Sequence, residues 1–345
     1  MINDFMNIIE KLKNSNLKGR SGSGFPTGLK WELVKNEKAD KKYIICNASE
    51  GEPGSSKDGF ILKKYPQAVV EGMKIALATI DHSVAYFRAE QENKVLPKVS
   101  SYIYLRKDYY QKFKKPLEKL IGKLPITLFK KQGGYLSGEE TTILNVIEGK
   151  RAEPRIKPPF PTQSGLFGCP TLVNNVETFY QVAKILKGEY KNTRFYSISG
   201  DVKHPGVYEL SESWDIGQIL KETKNWPNFD FFVQAGGGAS GEILLSSELN
   251  QPIKGIAAII VYNLKETNPS HLMKTWAEFF LKENCDKCVP CREGVFRISE
   301  MLKAGKIDKA LLDDLFFVLR ETSLCPLGKS VATPFESLLR KVYKI

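Results

Sequence analysis

The sequence contains no apolar run approaching the roughly 20 residues that a helix needs to span a bilayer. Its longest candidate, Gly255–Tyr262, has only the length of a strand. The first residues, Met1–Leu17, mix acids, lysines and apolar residues at helical spacing, so we expect no secretory leader. The six cysteines suggest no disulfide framework, because four form one constellation and Cys46 and Cys169 pair in no obvious pattern. This cysteine usage predicts a reducing compartment, and we expect a cytoplasmic protein that partner subunits could hold at the inner membrane.

A basic run interleaved with aromatic side chains is also missing, which disfavours nucleic-acid binding despite a formal net charge of +12. The lysines are spread along the chain. Their charge suits attraction of an anionic dinucleotide or an acidic electron-transfer partner, and equally a merely solvated surface. No internal repeat is found. The length of 345 residues, with 42% hydrophobic and 26% charged residues, predicts a globular protein of two or three domains.

What the sequence does contain is a run of three cysteines at intervals of three, Cys285, Cys288 and Cys291, followed far downstream by Cys325 before Pro326. A tight loop that offers three thiolates, closed by a distant fourth, matches the ligand set of a [4Fe-4S] cluster. Zinc usually takes two separated C-x-x-C pairs, and four buried thiols could also act as small hydrophobic residues. The spacing favours iron–sulfur, with these two alternatives left open.

A glycine-rich stretch, Gly19–Trp31, lies before a predicted helix, Leu29–Asn36. Its glycines allow close backbone approach to a ligand, and the helix N-terminus could hold an anion between Arg20 and Lys30. It does not match the dinucleotide fingerprint because no strand precedes it. A flexible surface turn is the alternative.

Strands and helices alternate in the first half, which predicts an α/β layered domain. The strand Lys42–Asn47 opens into Asn47–Gly54, where ligands bind in such sheets. Glu139 and Glu140 begin a predicted helix, for which first-turn capping is the alternative. The other predicted elements are helices at 1–18 and Gln67–Ile80, strands Val84–Arg88, Tyr102–Arg106 and Pro125–Lys130, and a helix opened by Gly165–Thr171 and Val173–Thr178 and reaching about Leu186.

The second half predicts a small α+β domain and then a helical bundle. The α+β elements are strands Phe195–Ser199 and Val207–Leu210, a helix Ile216–Glu222, and strands near Phe231 and at Ile256–Tyr262. Gly236–Gly241 predicts either a mobile loop or a close backbone approach. Ser270 is the predicted cap of a helix to Lys282, and further helices are expected near Glu293–Lys303 and Asp308–Arg320.

Together these motifs resemble the NADH-binding flavoprotein subunit of respiratory complex I and the related diaphorase subunits of NAD-linked hydrogenases and formate dehydrogenases. The resemblance implies a Rossmann-like FMN/NADH domain at 1–190, a β-grasp domain at 191–265 and a helical [4Fe-4S] domain at 266–345. The matching runs are Gly19–Trp31, Asn47–Asp58, Gly134–Thr141, Gly165–Thr178, Ser199–Glu209, Cys285–Gly294 and Ser323–Gly328.

The same resemblance implies the site residues. Cys285, Cys288, Cys291 and Cys325 would hold the cluster, and Glu52 and Glu140 would act in catalysis. NADH would lie near Gly22, Ser23, Phe25, Lys30, Glu52 and Glu140. The FMN pocket would comprise Gly19, Arg20, Gly22, Lys30, Asn47, Ser49, Glu50, Tyr135, Gly138, Glu139, Glu140, Val173, Asn174, Asn175 and Thr178.

The chain departs from the family pattern at four of these motif positions. Ser21 and Ser23 replace the usual glycine and alanine, Ser49 replaces an aspartate, and Ser137 stands where cysteine is common. We expect no fused thioredoxin-like [2Fe-2S] domain, so the resemblance implies such a subunit and a further iron–sulfur subunit as partners. The expected function is hydride transfer between NADH and FMN, then single-electron transfer to the cluster. The alternative is a flavin-free electron-transfer or scaffold subunit, which the serine at position 49 motivates.

Overall fold

A computed structural model describes residues 8–80 and 99–343 of the chain. They belong to two compact units, each assembled from separate stretches of sequence. The first comprises Met1–Glu50, Lys57–Gly133 and Ser137–Thr193, and the second comprises Gly51–Ser56, Gly134–Leu136 and Arg194–Ile345. The predicted strand Val84–Arg88 lies outside the described residues. Within the described ranges, every helix is too short or too polar to cross a bilayer.

The first unit contains a four-stranded parallel sheet in the order β3-β2-β1-β4. Next to β1 the strand order reverses, so the crevice at the carboxyl ends of β1 and β4 is the topological switch point where ligands bind in open α/β sheets. Asn47 in β1 pairs in register with Asn175 in β4. The strands are β1 (Lys42–Ala48), β2 (Val99–Leu105), β3 (Ile126–Lys130) and β4 (Thr171–Asn175).

Helices cover this sheet, and two of them pack backbone against backbone. A Cβ at Gly72 of α4 would clash with the carbonyl oxygen of Phe179 in α7, so only glycine allows this approach. The helices of the first unit are α1 (Ile8–Asn14), α2 (Thr27–Asn36), α3 (Lys57–Lys64), α4 (Pro66–Ile80), α5 (Lys107–Ile121), α6 (Glu140–Ile147) and α7 (Val176–Leu186), with short 3₁₀ turns at Tyr135–Gly138 and Leu166–Gly168.

The predicted start of α7 was wrong. Val173, Asn174 and Asn175 lie on strand β4, and the helix begins only at Val176, where the Asn175 side chain accepts from the Glu177 N–H. All five residues of β4 are buried, so it is a central strand despite its two asparagines. Helices α3 and α5 were not predicted, and α5 carries Pro116 in its interior.

The second unit contains a five-stranded mixed sheet in the order β6-β5-β9-β7-β8, with β5 parallel to β9 and β7 antiparallel to both β8 and β9. A helix between the second and third strands completes the β-grasp architecture and buries Ile219 and Leu220 against Val233 and Val261. Strand β8 was not predicted. The elements are β5 (Thr193–Gly200), β6 (Gly206–Ser211), α8 (Ile216–Glu222), β7 (Phe231–Ala235), β8 (Glu242–Leu245), a 3₁₀ turn (Ser246–Glu248) and β9 (Ala258–Asn263).

The C-terminal helices of the second unit surround a core that includes Trp276, Phe316 and Phe335. The cap of the first helix is Asn268, which accepts from the His271 N–H, and not Ser270 as predicted. The second helix begins at Val289, inside the cysteine run, earlier than predicted. The helices are α9 (Pro269–Glu283), α10 (Val289–Ala304), α11 (Lys309–Thr322), α12 (Pro326–Ser330) and α13 (Ala332–Leu338), followed by a π-turn at Leu339–Tyr343.

Candidate functional site

The glycine-rich stretch before α2 forms a loop that is closed at its base by backbone hydrogen bonds. Gly19 N donates to Phe25 O (2.8 Å) and Thr27 N donates to Leu17 O (2.8 Å). Gly22 and Gly24 have φ values of 105° and 64°, conformations that side chains rarely adopt. The predicted NADH residues Ser23 and Phe25 lie in this loop. The loop geometry therefore suits close backbone approach to a ligand.

Lys30 joins the first turn of α2 to the carboxyl end of β4 and to α6. Its Nζ donates to Glu140 Oε1 (2.5 Å) and to Val173 O (2.8 Å). Burial alone would raise the pKa of Glu140, but Lys30 and then Lys157 outweigh it and lower the pKa. Trp31 Nε1 donates to Asn174 Oδ1 (2.9 Å), which fixes α2 against β4. The structure thus brings Lys30, Glu140 and Asn174 close together.

The carboxyl end of β1 carries a second group of predicted residues. Asn47 Nδ2 donates to Gly138 O (3.0 Å), and Asn47 Oδ1 accepts from Ser49 N (3.1 Å) and Ser49 Oγ (2.6 Å). A Cβ at Gly138 would clash with Ser49 Oγ, so Gly138 lies directly against Ser49. We refer to Lys30, Asn47, Ser49, Gly138, Glu140 and Asn174 as the strand-end site.

Arg20 is buried, and its contacts point into the first unit. Its backbone N–H donates to Thr178 Oγ1 (3.2 Å), while its guanidinium donates to Tyr190 Oη (3.4 Å) and Thr193 O (3.5 Å). The loop residue Arg20 and the helix residue Thr178, both predicted to bind FMN, are therefore in contact. The guanidinium contacts show that Arg20 also anchors the glycine loop.

A buried ionic network, which the sequence did not reveal, lies behind the strand-end site. Lys57 Nζ contacts Asp58 Oδ1 (2.7 Å), Asn175 Oδ1 (2.8 Å) and Glu177 Oε2 (3.1 Å). Asn175 Nδ2 donates to Asp58 Oδ2 (2.7 Å) and to Asn47 O (3.3 Å). Burial raises the pKa of Asp58 to about 6, against the lowering effect of Lys57. Asn175 therefore links the network to β1, which makes it a positioning residue.

The two predicted acids Glu50 and Glu139 each satisfy a helix N-terminus. Glu50 accepts from Asp58 N (3.1 Å), Gly59 N (3.1 Å) and Tyr109 Oη (2.6 Å), and so holds the first turn of α3. Glu139 caps α6, because its Oε2 accepts from the N–H and hydroxyl groups of Thr141 and Thr142 at 2.6–3.0 Å. Glu139 thus caps the helix through Oε2, and its role in cofactor binding stays a prediction.

In the second unit, Glu52 and Tyr135 form a hydrogen-bonded pair. Tyr135 Oη donates to Glu52 Oε2 (2.5 Å), and Glu52 Oε1 accepts from Ala239 N (3.0 Å), Ser240 N (3.2 Å) and Ser240 Oγ (3.3 Å). Burial raises the pKa of Glu52 and outweighs these hydrogen bonds, which lower it. A Cβ at Gly237 would clash with Glu52 Oε1. The loop Gly236–Gly241 is therefore a close backbone approach, around Glu52.

Tyr135 also contacts the helix that precedes the cysteine run. Its backbone N–H donates to Glu283 Oε2 (2.6 Å), and its ring meets that of Phe279 edge-on at 5.1 Å. Burial, then Glu52, and further Cys325 and Glu283 raise the pKa of Tyr135. Tyr135 thus connects Glu52 to the neighbourhood of the cysteines.

The four predicted cluster ligands share one apolar neighbourhood at two helix N-termini. Cys288 precedes α10 and Cys325 precedes α12, while Cys291 lies in the first turn of α10. Cys291 and Cys325 are buried, and Cys285 and Cys288 are partly buried. Burial, followed by the charges of the other three cysteines, raises the pKa of Cys291 to about 12. A Cβ at Gly328 would approach Cys291 Cβ to 3.2 Å, so glycine keeps this side close-packed.

Four thiols at two helix N-termini form a ligand set that suits a [4Fe-4S] cluster. In residues 8–80 and 99–343, no three His, Cys, Asp or Glu side chains are arranged to hold one metal ion. Zinc draws thiolates to about 2.3 Å from one centre, whereas a cubane spreads four thiolates over four irons. Backbone N–H groups at the two helix N-termini suit the negative charge of bound thiolates.

The strand-end site also fits FMN. Lys30 and the loop amides supply donors for a phosphate, and the asparagine and serine side chains can bind hydroxyl and ring groups. Tyr104 pairs in register with Asn47, and Ser137 precedes Gly138. The hydroxyls of both residues are buried and find no hydrogen-bond partner among the described residues. Such groups are expected where a polar ligand completes a site.

Comparison with known proteins agrees with this chemistry. Residues 12–184 match the Nuo51 FMN-binding domain, and residues 271–344 match the NADH-ubiquinone oxidoreductase-F iron–sulfur binding region. FMN and a [4Fe-4S] cluster are the cofactors of these domains.

Among named relatives, the chain is 33% identical to the alpha subunit of the NAD-reducing hydrogenase HoxS of Cupriavidus necator, covering 98% of this chain and 60% of that relative. It is also 33% identical to the F subunit of the NADH-quinone oxidoreductase of Streptomyces coelicolor, covering 96% of this chain and 80% of that relative. A crystal structure of an NAD⁺-reducing [NiFe]-hydrogenase in the H₂-reduced state superposes with a TM-score of 0.86 at 27% identity, covering 98% of this chain and 62% of that one. The chain thus spans about three-fifths of the hydrogenase chains that it matches. With both family regions present in order and the fold shared, the chain belongs to the family of F-type flavoprotein subunits of NADH-quinone oxidoreductases.

Proposed function

We propose that the chain is the electron-input subunit of a multi-subunit oxidoreductase, which exchanges hydride between NAD(H) and FMN and passes single electrons to a [4Fe-4S] cluster. The observation that carries the proposal is the strand-end site. It unites the glycine loop, Lys30 and the asparagines of β1 and β4 at the switch point of a parallel sheet. FMN would supply the conversion of a two-electron hydride into single electrons when bound.

The side chains bind and orient; none is required to take a proton from the reacting carbon. Hydride transfer between nicotinamide and flavin depends on placement of the two rings, for which fixed hydrogen-bonding groups suffice. Glu140 is held by Lys30 and stays ionised because its pKa is lowered. It can therefore accept from ligand hydroxyls without changing its charge.

The partners and location are further parts of the proposal. Both named relatives are subunits of larger assemblies, which supports a multi-subunit complex. The family resemblance implies a thioredoxin-like [2Fe-2S] subunit and another iron–sulfur subunit as its electron acceptors. A cytoplasmic location is supported by the cysteine usage, which suits a reducing compartment. The flavin-free scaffold remains the competing function, because Ser49 lacks the carboxylate usual at that position.

The test is stopped-flow reduction of bound flavin by NADH in the purified full chain, with FMN and iron content measured on the same sample. The Glu140→Ala variant should slow flavin reduction about tenfold or more while losing little FMN, because Glu140 is predicted to contact both ligands. Glu153→Ala, an acid of the same unit outside the strand-end site, is the control and should keep the unsubstituted rate. Unchanged reduction in Glu140→Ala would refute the catalytic assignment, and a protein that takes up no FMN would favour the scaffold.

A further inference from the structure

A lysine that the family resemblance does not assign lies next to the strand-end site. Lys131 follows β3, and its backbone N–H donates to Leu105 O (2.8 Å), continuing the parallel sheet beyond the last strand residue. The side chain is largely buried, since Lys131 is only 8% exposed. Lysine is rarely buried to this extent without a local reason.

The ammonium of Lys131 reaches two residues of the predicted flavin pocket. Its Nζ donates to Ser49 O (3.4 Å) and lies 3.9 Å from the position that a Cβ would take at Gly138. Because Gly138 packs directly on Ser49, Lys131 lies at the same point of the pocket wall. The Ser49 side chain presents no carboxylate to this ammonium.

The position of Lys131 in the sheet indicates which part of FMN it would face. The glycine loop and Lys30, which are suited to hold the phosphate, lie at the β4 side of the switch point. Lys131 lies at the opposite side, after β3. If Lys30 and the glycine loop hold the phosphate, Ser49 and Lys131 would line the part of the site that is left for the ring. A reduced flavin ring carries more negative charge than an oxidised one, and a nearby cation favours the more negative form.

We propose that Lys131 is a flavin-site residue of this chain whose ammonium stabilises reduced FMN relative to oxidised FMN. The ammonium is a fixed positive charge beside the cofactor and takes no part in hydride transfer. This inference rests on the proposed function, since it requires FMN at the strand-end site.

The experiment is a redox titration of the flavin in the full chain reconstituted with FMN, followed by absorbance, together with an FMN binding titration. Lys131→Met should lower the affinity for reduced FMN relative to oxidised FMN about tenfold, which equals a fall of about 30 mV in a two-electron midpoint potential. Lys130→Met is the matched control, because Lys130 is its exposed neighbour and carries the same charge. Lys131→Arg keeps the charge and should keep the potential.

Ser49→Asp is the second test, which needs no change at Lys131. It should lower the potential in the same direction, because a carboxylate at this position adds a negative charge beside the cofactor. Equal potentials in Lys131→Met and Lys130→Met, with FMN bound in both, would overturn this inference and leave the proposed function intact. If Lys131→Met does not fold, an unchanged potential in Ser49→Asp overturns it instead. Failure of the unsubstituted protein to bind FMN would overturn the proposed function itself.

Discussion

Replacing Lys57 by methionine should destabilise the first unit strongly, because Lys57 is the cation of a buried network. Its Nζ lies 2.7 Å from Asp58 Oδ1 and 3.1 Å from Glu177 Oε2, and the side chains of Lys57, Asp58 and Glu177 are 4%, 4% and 0% exposed. Methionine fills a similar volume without the charge. The two carboxylates would then remain buried beside each other without their ammonium.

The free energy of unfolding should fall by about 3–5 kcal/mol, the usual cost of removing one partner from a buried ion pair. That is a large share of the roughly 5–15 kcal/mol by which domains are stable. Lys13→Met is the matched control, because Lys13 Nζ contacts Glu32 Oε1 at the same 2.7 Å in the same unit but in a solvent-accessible position. Since water screens that pair, the control should unfold nearly as the unsubstituted protein does.

The pH dependence of the free energy of unfolding gives an independent check of this prediction. Asp58 has a pKa raised from 3.8 to about 6, so its protonation favours the folded state. The associated stability, about 3 kcal/mol for this shift, is present below pH 3.8 and lost as the pH rises through 6. Without Lys57 the pKa of Asp58 rises further, and the loss in Lys57→Met should be largest at about pH 7 and smaller at about pH 5.

The assay is urea unfolding followed by hydrogen exchange of the β1 and β4 amides, which reports the first unit alone. Because the chain has two units, a single global transition is not assumed. The reasoning is refuted if Lys57→Met and Lys13→Met have the same midpoint at neutral pH. It is also refuted if the loss in Lys57→Met is the same under acidic and neutral conditions.

Two further predictions concern the second unit. Cys288→Ala should lose most of the bound iron and lower the unfolding temperature of the C-terminal helices. The control Cys169→Ala should keep the iron and the unfolding temperature. Equal iron content in the two variants, measured on anaerobically purified protein, would contradict the ligand assignment. Gly237→Ala, with φ of 110° and a Cβ that would clash with Glu52, should cost about 1–3 kcal/mol and raise the KM for NADH. Gly255→Ala also has a positive φ (69°) but meets no atom within 4 Å, so a KM raised equally in both variants would rule out a specific role for the Glu52 contact.

The strands of the first sheet could be predicted where their side chains are apolar. Lys42–Ala48 contains Ile44, Ile45 and Cys46 in sequence and was recognised, whereas Thr171–Asn175 is equally buried but ends in two asparagines. Those asparagines are polar because they serve the site: Asn174 accepts from Trp31, and Asn175 holds the ionic network. Local patterns cannot show such a strand, since its polar groups are satisfied by residues distant in sequence.

The residue types of the candidate site could be predicted from the sequence, but which of them cap helices and which form ion pairs could not. Glu139 and Glu140 are adjacent in sequence, yet Glu139 Oε2 caps the N-terminus of α6 while Glu140 pairs with Lys30. Glu50 likewise holds α3 through Asp58 and Gly59. Nothing in the sequence distinguishes Lys131 from a surface lysine, because a lysine after a strand is ordinarily solvated. Only its burial in the folded chain sets it apart.

The assembly of the second unit from three stretches of sequence limits how the gene could be divided. A fragment starting at Arg194 would carry the β-grasp sheet and all four cluster cysteines, but it would lack Glu52 and Tyr135. The N–H groups of Ala239 and Ser240 would lose their acceptor, and Glu283 would lose its donor two residues before Cys285. The two units are therefore interleaved in sequence, and a chain split at Arg194 would have to supply Gly51–Ser56 and Gly134–Leu136 in trans.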